Sequence, residues 1–149
     1  MLDPGLEQRI RSRLENSPFP VWMGFKLTAL GDGSSEITMQ VEDHHRNPGG
    51  IAHGGIIASL LDSAVGLALR TRLGMTTQHV TVNLSIDYLR AAVGGTLIAR
   101  GRAVKDGKRI TFGEATLHDE NGREVARATA TFLVLPERPL TEGPTLDGE

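Results

Sequence analysis

A chain of 149 residues with a formal net charge of −2 and no cysteine is long enough for one domain with a real core. The lack of thiols excludes disulfides, thiolate metal sites and cysteine nucleophiles. A pI near 6.2 argues against a general nucleic-acid binder. No apolar run reaches bilayer-spanning length, because Asp62 and Arg70 interrupt the best candidate. Met1-Leu2-Asp3-Pro4-Gly5 lacks the charged-then-apolar order of a secretory signal, so a soluble cytoplasmic protein is expected.

Residues 1–17 read as an N-terminal helical segment. Leu6, Ile10 and Leu14 fall on one face, with Asp3 as cap and Pro4 in the first turn. Asn16-Ser17-Pro18-Phe19-Pro20 ends it, and Val21-Trp22-Met23-Gly24-Phe25 reads as an apolar plug over the core. Phe25–Leu30 and Ser35–Glu42, joined by Gly31-Asp32-Gly33, form a hairpin with alternating burial. Asp43–Ala52 is loop, and a helix follows to about Arg72. Val80, Val82, Leu84, Ile86 and Tyr88 alternate with polar residues in a long half-buried strand. Three more strands follow: from Gly94-Gly95 to Val104, from Arg109 to His118, and from Glu124 to Leu135. They turn at Asp106-Gly107 and Asn121-Gly122. Residues 18–135 thus make one α+β domain, in which a meander of strands curls around a single long helix. The stretch 136–149 has no periodicity and reads as a disordered tail.

The most informative stretch is Asn47-Pro48-Gly49-Gly50-Ile51-Ala52-His53-Gly54-Gly55 and the helix that follows it. The helix is apolar nearly all round, which predicts burial, and Asp62 is its anomaly, since a buried carboxylate must be paired, hydrogen-bonded or protonated. Ser59, Asp62, Ser63, Gly66 and Arg70 share a stripe of small and polar groups that reads as a seam.

The pattern Asn-x5-His-Gly-Gly-x6-Asp, carried by Asn47, His53, Gly54, Gly55 and Asp62, resembles the signature of hotdog-fold acyl-CoA thioesterases of the phenylacetate-degradation (PaaI) type. The resemblance extends from about Pro18 to Val134. It implies a hotdog fold and hydrolysis of an acyl- or aryl-CoA to free acid and coenzyme A. No cofactor is implied, since coenzyme A is part of the substrate. It also implies two protomers pairing edge to edge, as a dimer or a homotetrameric dimer of dimers with shared active sites. Other readings of the same fold are a non-catalytic acyl-CoA-binding module and another hotdog activity such as a hydratase.

Thioester hydrolysis needs a polarised carbonyl and an activated nucleophile. Gly54 and Gly55 stand where the first N–H groups of a helix have no internal partner, which suits an oxyanion. Asp62 is the candidate base or nucleophile, with a carboxyl that burial should push up. The resemblance makes this aspartate the catalytic carboxylate, and it makes the Asn47 amide a donor to the thioester oxygen or to water. His53, at the helix start, reads as neutral and as an orienting group. Thr81 lies on the polar face of its strand, at a place where the resembling family often carries a small hydroxyl residue. Lys105, Lys108 and Arg109 surround a hairpin tip and are candidates for the coenzyme A phosphates. No metal is expected: His44 and His45 are adjacent on an extended segment and should point apart.

Overall fold

The computed structural model describes residues 1–135; the tail expected at 136–149 lies outside the described residues. Helix α1 (Pro4–Glu15) is capped by Asp3, whose carboxylate accepts from the Leu6 N–H. Pro18 and Pro20 were expected only to stop this helix. Pro18 instead opens a second short helix, α2 (Pro18–Met23), because a proline in a first turn gives up an N–H that has no helical partner anyway. Only part of the expected plug is inside: Met23 and Phe25 are buried, whereas Trp22 is 65% exposed.

The strands are β1 (Lys26–Gly31), β2 (Ser34–Gln40), β3 (Gln78–Tyr88), β4 (Thr96–Asp106), β5 (Ile110–His118) and β6 (Glu124–Leu135). They form one antiparallel sheet of six strands in the order β1-β2-β4-β5-β6-β3. The sheet curls around α3 (Gly54–Leu73), which touches every strand. This is the architecture that the resemblance implies. A 3-10 turn, Asp43–His45, sits in the stretch expected to be plain loop.

The seat of α3 is floored with very small residues. Ala99, Gly101, Ala103, Gly113, Ala115, Ala126, Ala128 and Ala130 face inward from β4, β5 and β6. A Cβ at Gly101 would overlap the Ala64 carbonyl, and one at Gly113 would overlap the Val65 side chain. The helix backbone therefore lies directly on the sheet. Ser35 Oγ donates to the Ala64 carbonyl at 2.6 Å. Thr71 Oγ1 accepts from the Gly33 N–H at 2.8 Å and so ties the first hairpin to the helix end.

The helix is not buried all round, as its composition suggested. Leu60, Leu61, Ala64, Val65, Ala68 and Leu69 are inside, but Gly55 is exposed and Ser59, Asp62, Ser63 and Gly66 are only half-buried. The sheet covers the large apolar residues and leaves the small-residue stripe open. The stripe faces β3, which lies at one edge of the sheet.

Strand β3 also departs from its expected alternation. Thr81 pairs with Phe132 and Asn83 with Thr131, so Val82 is an extra residue at a bulge. A bulge switches the inward parity of a strand. Leu84 and Ile86 pack on the core, but beyond the bulge Thr81 and His79 turn toward the helix, and Val80 and Val82 are 42% and 54% exposed.

Gly101→Ala should cost about 1–3 kcal/mol of unfolding free energy, read from the shift of the denaturant midpoint, because the added carbon meets helix backbone that cannot rotate away. A variant as stable as the parent would show that the helix does not rest on the sheet at this point.

Candidate active site

Asp62 and Thr81 form the centre of the open stripe. Thr81 Oγ1 donates to Asp62 Oδ1 at 2.8 Å. Burial pushes the Asp62 carboxyl above the usual aspartate range, and the Thr81 hydroxyl pulls it part of the way back. The second carboxylate oxygen has no protein hydrogen-bond partner among the described residues, and Thr81 itself is exposed. The pair is a carboxylate of raised basicity, held by one oxygen and open at the other. Without the bulge at Val82, period-two alternation would turn Thr81 away from Asp62.

The glycine loop forms a second centre. His53 caps α3 through its ring: Nδ1 accepts from the Gly55 N–H at 2.8 Å, which places the ring proton on Nε2. The Gly55 amide is thereby engaged, whereas the Gly54 N–H has no protein acceptor among the described residues. Asn47 braces the loop with Oδ1, which accepts from the Gly49 and Ile51 N–H groups at 2.9 and 3.3 Å. Its Nδ2 donors remain free among the described residues. The turn role and a donor role therefore use different atoms of the same amide.

A cavity of about 390 Å³ opens beside this loop, lined by Asn47, Gly54, Ile57, Tyr88 and Arg90 among others. Tyr88 and Arg90 were not singled out from the sequence. Tyr88 Oη donates to the Gly54 carbonyl at 2.8 Å and holds the start of α3 against the end of β3. The one available signal was that the chain's single tyrosine ends a strand on its apolar parity.

The two centres are apart. Asp62 follows Gly54 by eight residues on one straight helix, so they stand about 12 Å from each other at 1.5 Å per residue. One thioester carbonyl cannot touch both within a single chain. Lys105, Lys108 and Arg109 are farther from Gly54 still. They are exposed, their turn is anchored by Asp106 to Arg72 at 3.7 Å in the last turn of α3, and none of them lines the loop cavity.

His44 and His45 do not point apart. The 3-10 turn stacks their rings with centroids 4.0 Å from each other, and His45 is buried with Nδ1 accepting from the Glu42 N–H. Among the described residues no group of three His, Asp or Glu side chains is placed to hold a metal ion. No described helix is long and apolar enough to cross a membrane.

Comparison with known proteins places the chain in a family. Residues 49–126, more than half of the chain, match the family model of the thioesterase superfamily. A medium/long-chain acyl-CoA thioesterase of Escherichia coli, YigI, is 34% identical over 100 residues, covering 56% of this chain and 63% of the relative. A Streptococcus mutans protein solved with acetyl CoA bound superposes with a TM-score of 0.70 at 34% identity, over 76% of this chain and 90% of that one. The E. coli PaaI protein of the phenylacetic acid degradation operon superposes with a TM-score of 0.84 over 92% of this chain and 98% of its own, at 22% identity, which speaks to the fold alone. The fold is the hotdog fold, and the chain belongs to the thioesterase superfamily.

Proposed function

We propose that the protein hydrolyses acyl-CoA thioesters at sites each built from two copies of the chain. The observation that carries this reading is a carboxylate of raised basicity, Asp62, standing on an open stripe about 12 Å from the free Gly54 amide of its own helix. The edge of β3 supports it: this strand spans Gln78–Tyr88 with one side unpaired and Val80 and Val82 exposed. Natural sheets cover or pair such edges. Two β3 edges paired about a two-fold axis would set Asp62 of one protomer against the Asn47–Gly54 loop of the other.

In that arrangement Asp62 takes a proton from a water molecule, and the water oxygen attacks the thioester carbonyl carbon. The carbonyl oxygen becomes an oxyanion held by the partner subunit's Gly54 N–H, with the partner subunit's Asn47 Nδ2 as a further donor. Collapse breaks the C–S bond, and the proton on Asp62 passes to the departing coenzyme A thiolate. Thr81 keeps one carboxylate oxygen fixed, so the other faces the water. His53 acts on the loop through Gly55 rather than on the substrate. Relatives carrying acyl-CoA thioesterase names or bound acetyl CoA support the substrate class.

The direct test is a panel of acyl-CoAs with freed thiol measured colorimetrically. Release of thiol is expected; tight acyl-CoA binding without it would make the protein a binding module. Asp62→Asn should keep the fold and lower turnover roughly 100- to 10,000-fold. Turnover needs Asp62 ionised, so activity should rise with pH through a midpoint above the ordinary aspartate value. Thr81→Val removes the bond that lowers this midpoint and should move it further up. An unmoved acid limb would detach Asp62 from the chemistry.

Gly54→Ala separates the loop's structural role from its chemical one. A Cβ there would meet the Tyr88 ring at an ordinary 3.6 Å, so melting temperature should hold. Turnover should fall by about 100-fold, because the methyl displaces the carbonyl from the amide by about 1 Å. Unchanged turnover would leave the glycine as a loop-to-helix junction only.

A further inference from the structure

Beyond Asp62 the groove between α3 and β3 continues as a ladder. Asp62 meets Thr81, Gly66 meets the ring of His79, and Arg70 Nη1 donates to the Gly74 and Thr77 carbonyls at 2.9 and 2.5 Å. Below the Asp62 rung lies a cavity of about 180 Å³ closed on the far side by α1. Its walls are mostly apolar, from Ile10, Leu14, Leu67 and Met75, but Arg13, Arg70 and His79 also line it.

The charge in this cavity is unbalanced. Arg70 is half-buried, and burial together with the nearby Arg13 charge pushes its guanidinium down to about 10. Neither arginine has a carboxylate within ion-pair distance among the described residues; Glu7, on the same helix as Arg13, is taken by Arg11 at 2.8 Å. His79 adds a buried Nδ1 without a partner, and burial beside Arg70 pushes its ring down to about 4. A cation drawn out of water is tolerated when paired; Arg70 is the desolvated one and Arg13 stays exposed beside it, so an anion between them would pair with both. The capping bonds of Arg70 use Nη1 only, which leaves the rest of the guanidinium for a ligand.

We propose that this cavity selects acyl groups whose far end carries a carboxylate. The inference rests on the reading of Asp62 as the place where the thioester sits. From there Arg70 is eight residues on along the same helix, about 12 Å. Methylenes of the acyl chain cross the apolar walls, and the terminal carboxylate docks between Arg70 and Arg13. The planar guanidinium of Arg70 suits a carboxylate better than a point charge would. Gly66 is the middle rung: a Cβ there would already touch His79 Nε2 at 3.5 Å, so glycine keeps the groove at this rung free of any side chain from the helix.

Binding can be measured apart from catalysis. In Asp62→Asn protein, calorimetry would compare glutaryl-, adipoyl- and suberoyl-CoA with pentanoyl-, hexanoyl- and octanoyl-CoA, and with coenzyme A alone. At least one dicarboxylic member should bind about ten-fold or more tightly than its matched partner. Arg70→Gln should erase that advantage, and Arg13→Gln, a change at an exposed side chain, should reduce it several-fold even if the Arg70 variant fails to fold. Affinity for coenzyme A alone should not change in either variant. Equal affinity within every pair would overturn the proposal. So would an advantage left undiminished in Arg13→Gln, or arginine variants that weaken coenzyme A itself, which would assign the cations to its phosphates. Hydrolysis of hexanoyl-CoA by the wild-type protein reports separately on the thioesterase reading.

Discussion

The structure depends on how closely α3 approaches the sheet. Gly101 and Gly113 carry no side chain where the Ala64 carbonyl and Val65 press down, and alanines from β4, β5 and β6 lie beside them on the inner face. A helix seated so low buries Leu60, Leu61, Val65 and Leu69 within one curled sheet. Its opposite stripe is left to the edge strand β3, which reaches it with Thr81, His79 and the hydroxyl of Tyr88. The partial desolvation of Asp62 follows from this seating. The carboxylate is far enough inside to be pushed up and open enough to meet a ligand.

The same seating separates the chemistry. A straight helix holds the free Gly54 amide and the Asp62 carboxylate about 12 Å apart, with Tyr88 anchoring one end of the groove and Arg70 the other. No rotamer change closes that gap, because both groups are fixed by the helix backbone or one short side chain. On the proposed reading the gap is the reason for pairing. Pairing at the β3 edge would bring a second helix alongside, running the other way, so that each carboxylate would find a foreign amide. The cavity toward Arg13 and Arg70 lies on the other side of Asp62 from its own glycine loop, and on the proposed reading it takes the acyl end of the substrate.

Much of this was legible in the sequence because period and punctuation agreed. The single long helix, its glycine loop and the hairpins at Asp106-Gly107 and Asn121-Gly122 follow from local chemistry, and Asp62 stood out because an aspartate is costly among apolar neighbours. What was missed depends on single residues or on contacts distant in sequence. The bulge at Val82 is one extra residue in an otherwise regular alternation, yet it reverses which side of β3 faces the helix and brings Thr81 to Asp62. Pro18 reads as a stop, although the same fixed φ also starts α2. His44 and His45 pointed apart only under the assumption of an extended chain, which the 3-10 turn removes. That His53 rather than a ligand occupies the Gly55 amide is a matter of ring orientation, and the meeting of Arg13 with Arg70 joins elements far apart in the chain.

The central claim, that each site takes its carboxylate from one chain and its amide donors from another, is tested most directly by mixing two damaged proteins. Asp62→Asn and Asn47→Ala should each be poor enzymes alone. Unfolded together and reassembled, each mixed dimer would carry one intact site and one doubly damaged site, and its activity should return to about half that of the wild type. If mass measurement shows mixed dimers and their activity stays at the level of the separate variants, each site lies within a single chain and the two-chain account is contradicted.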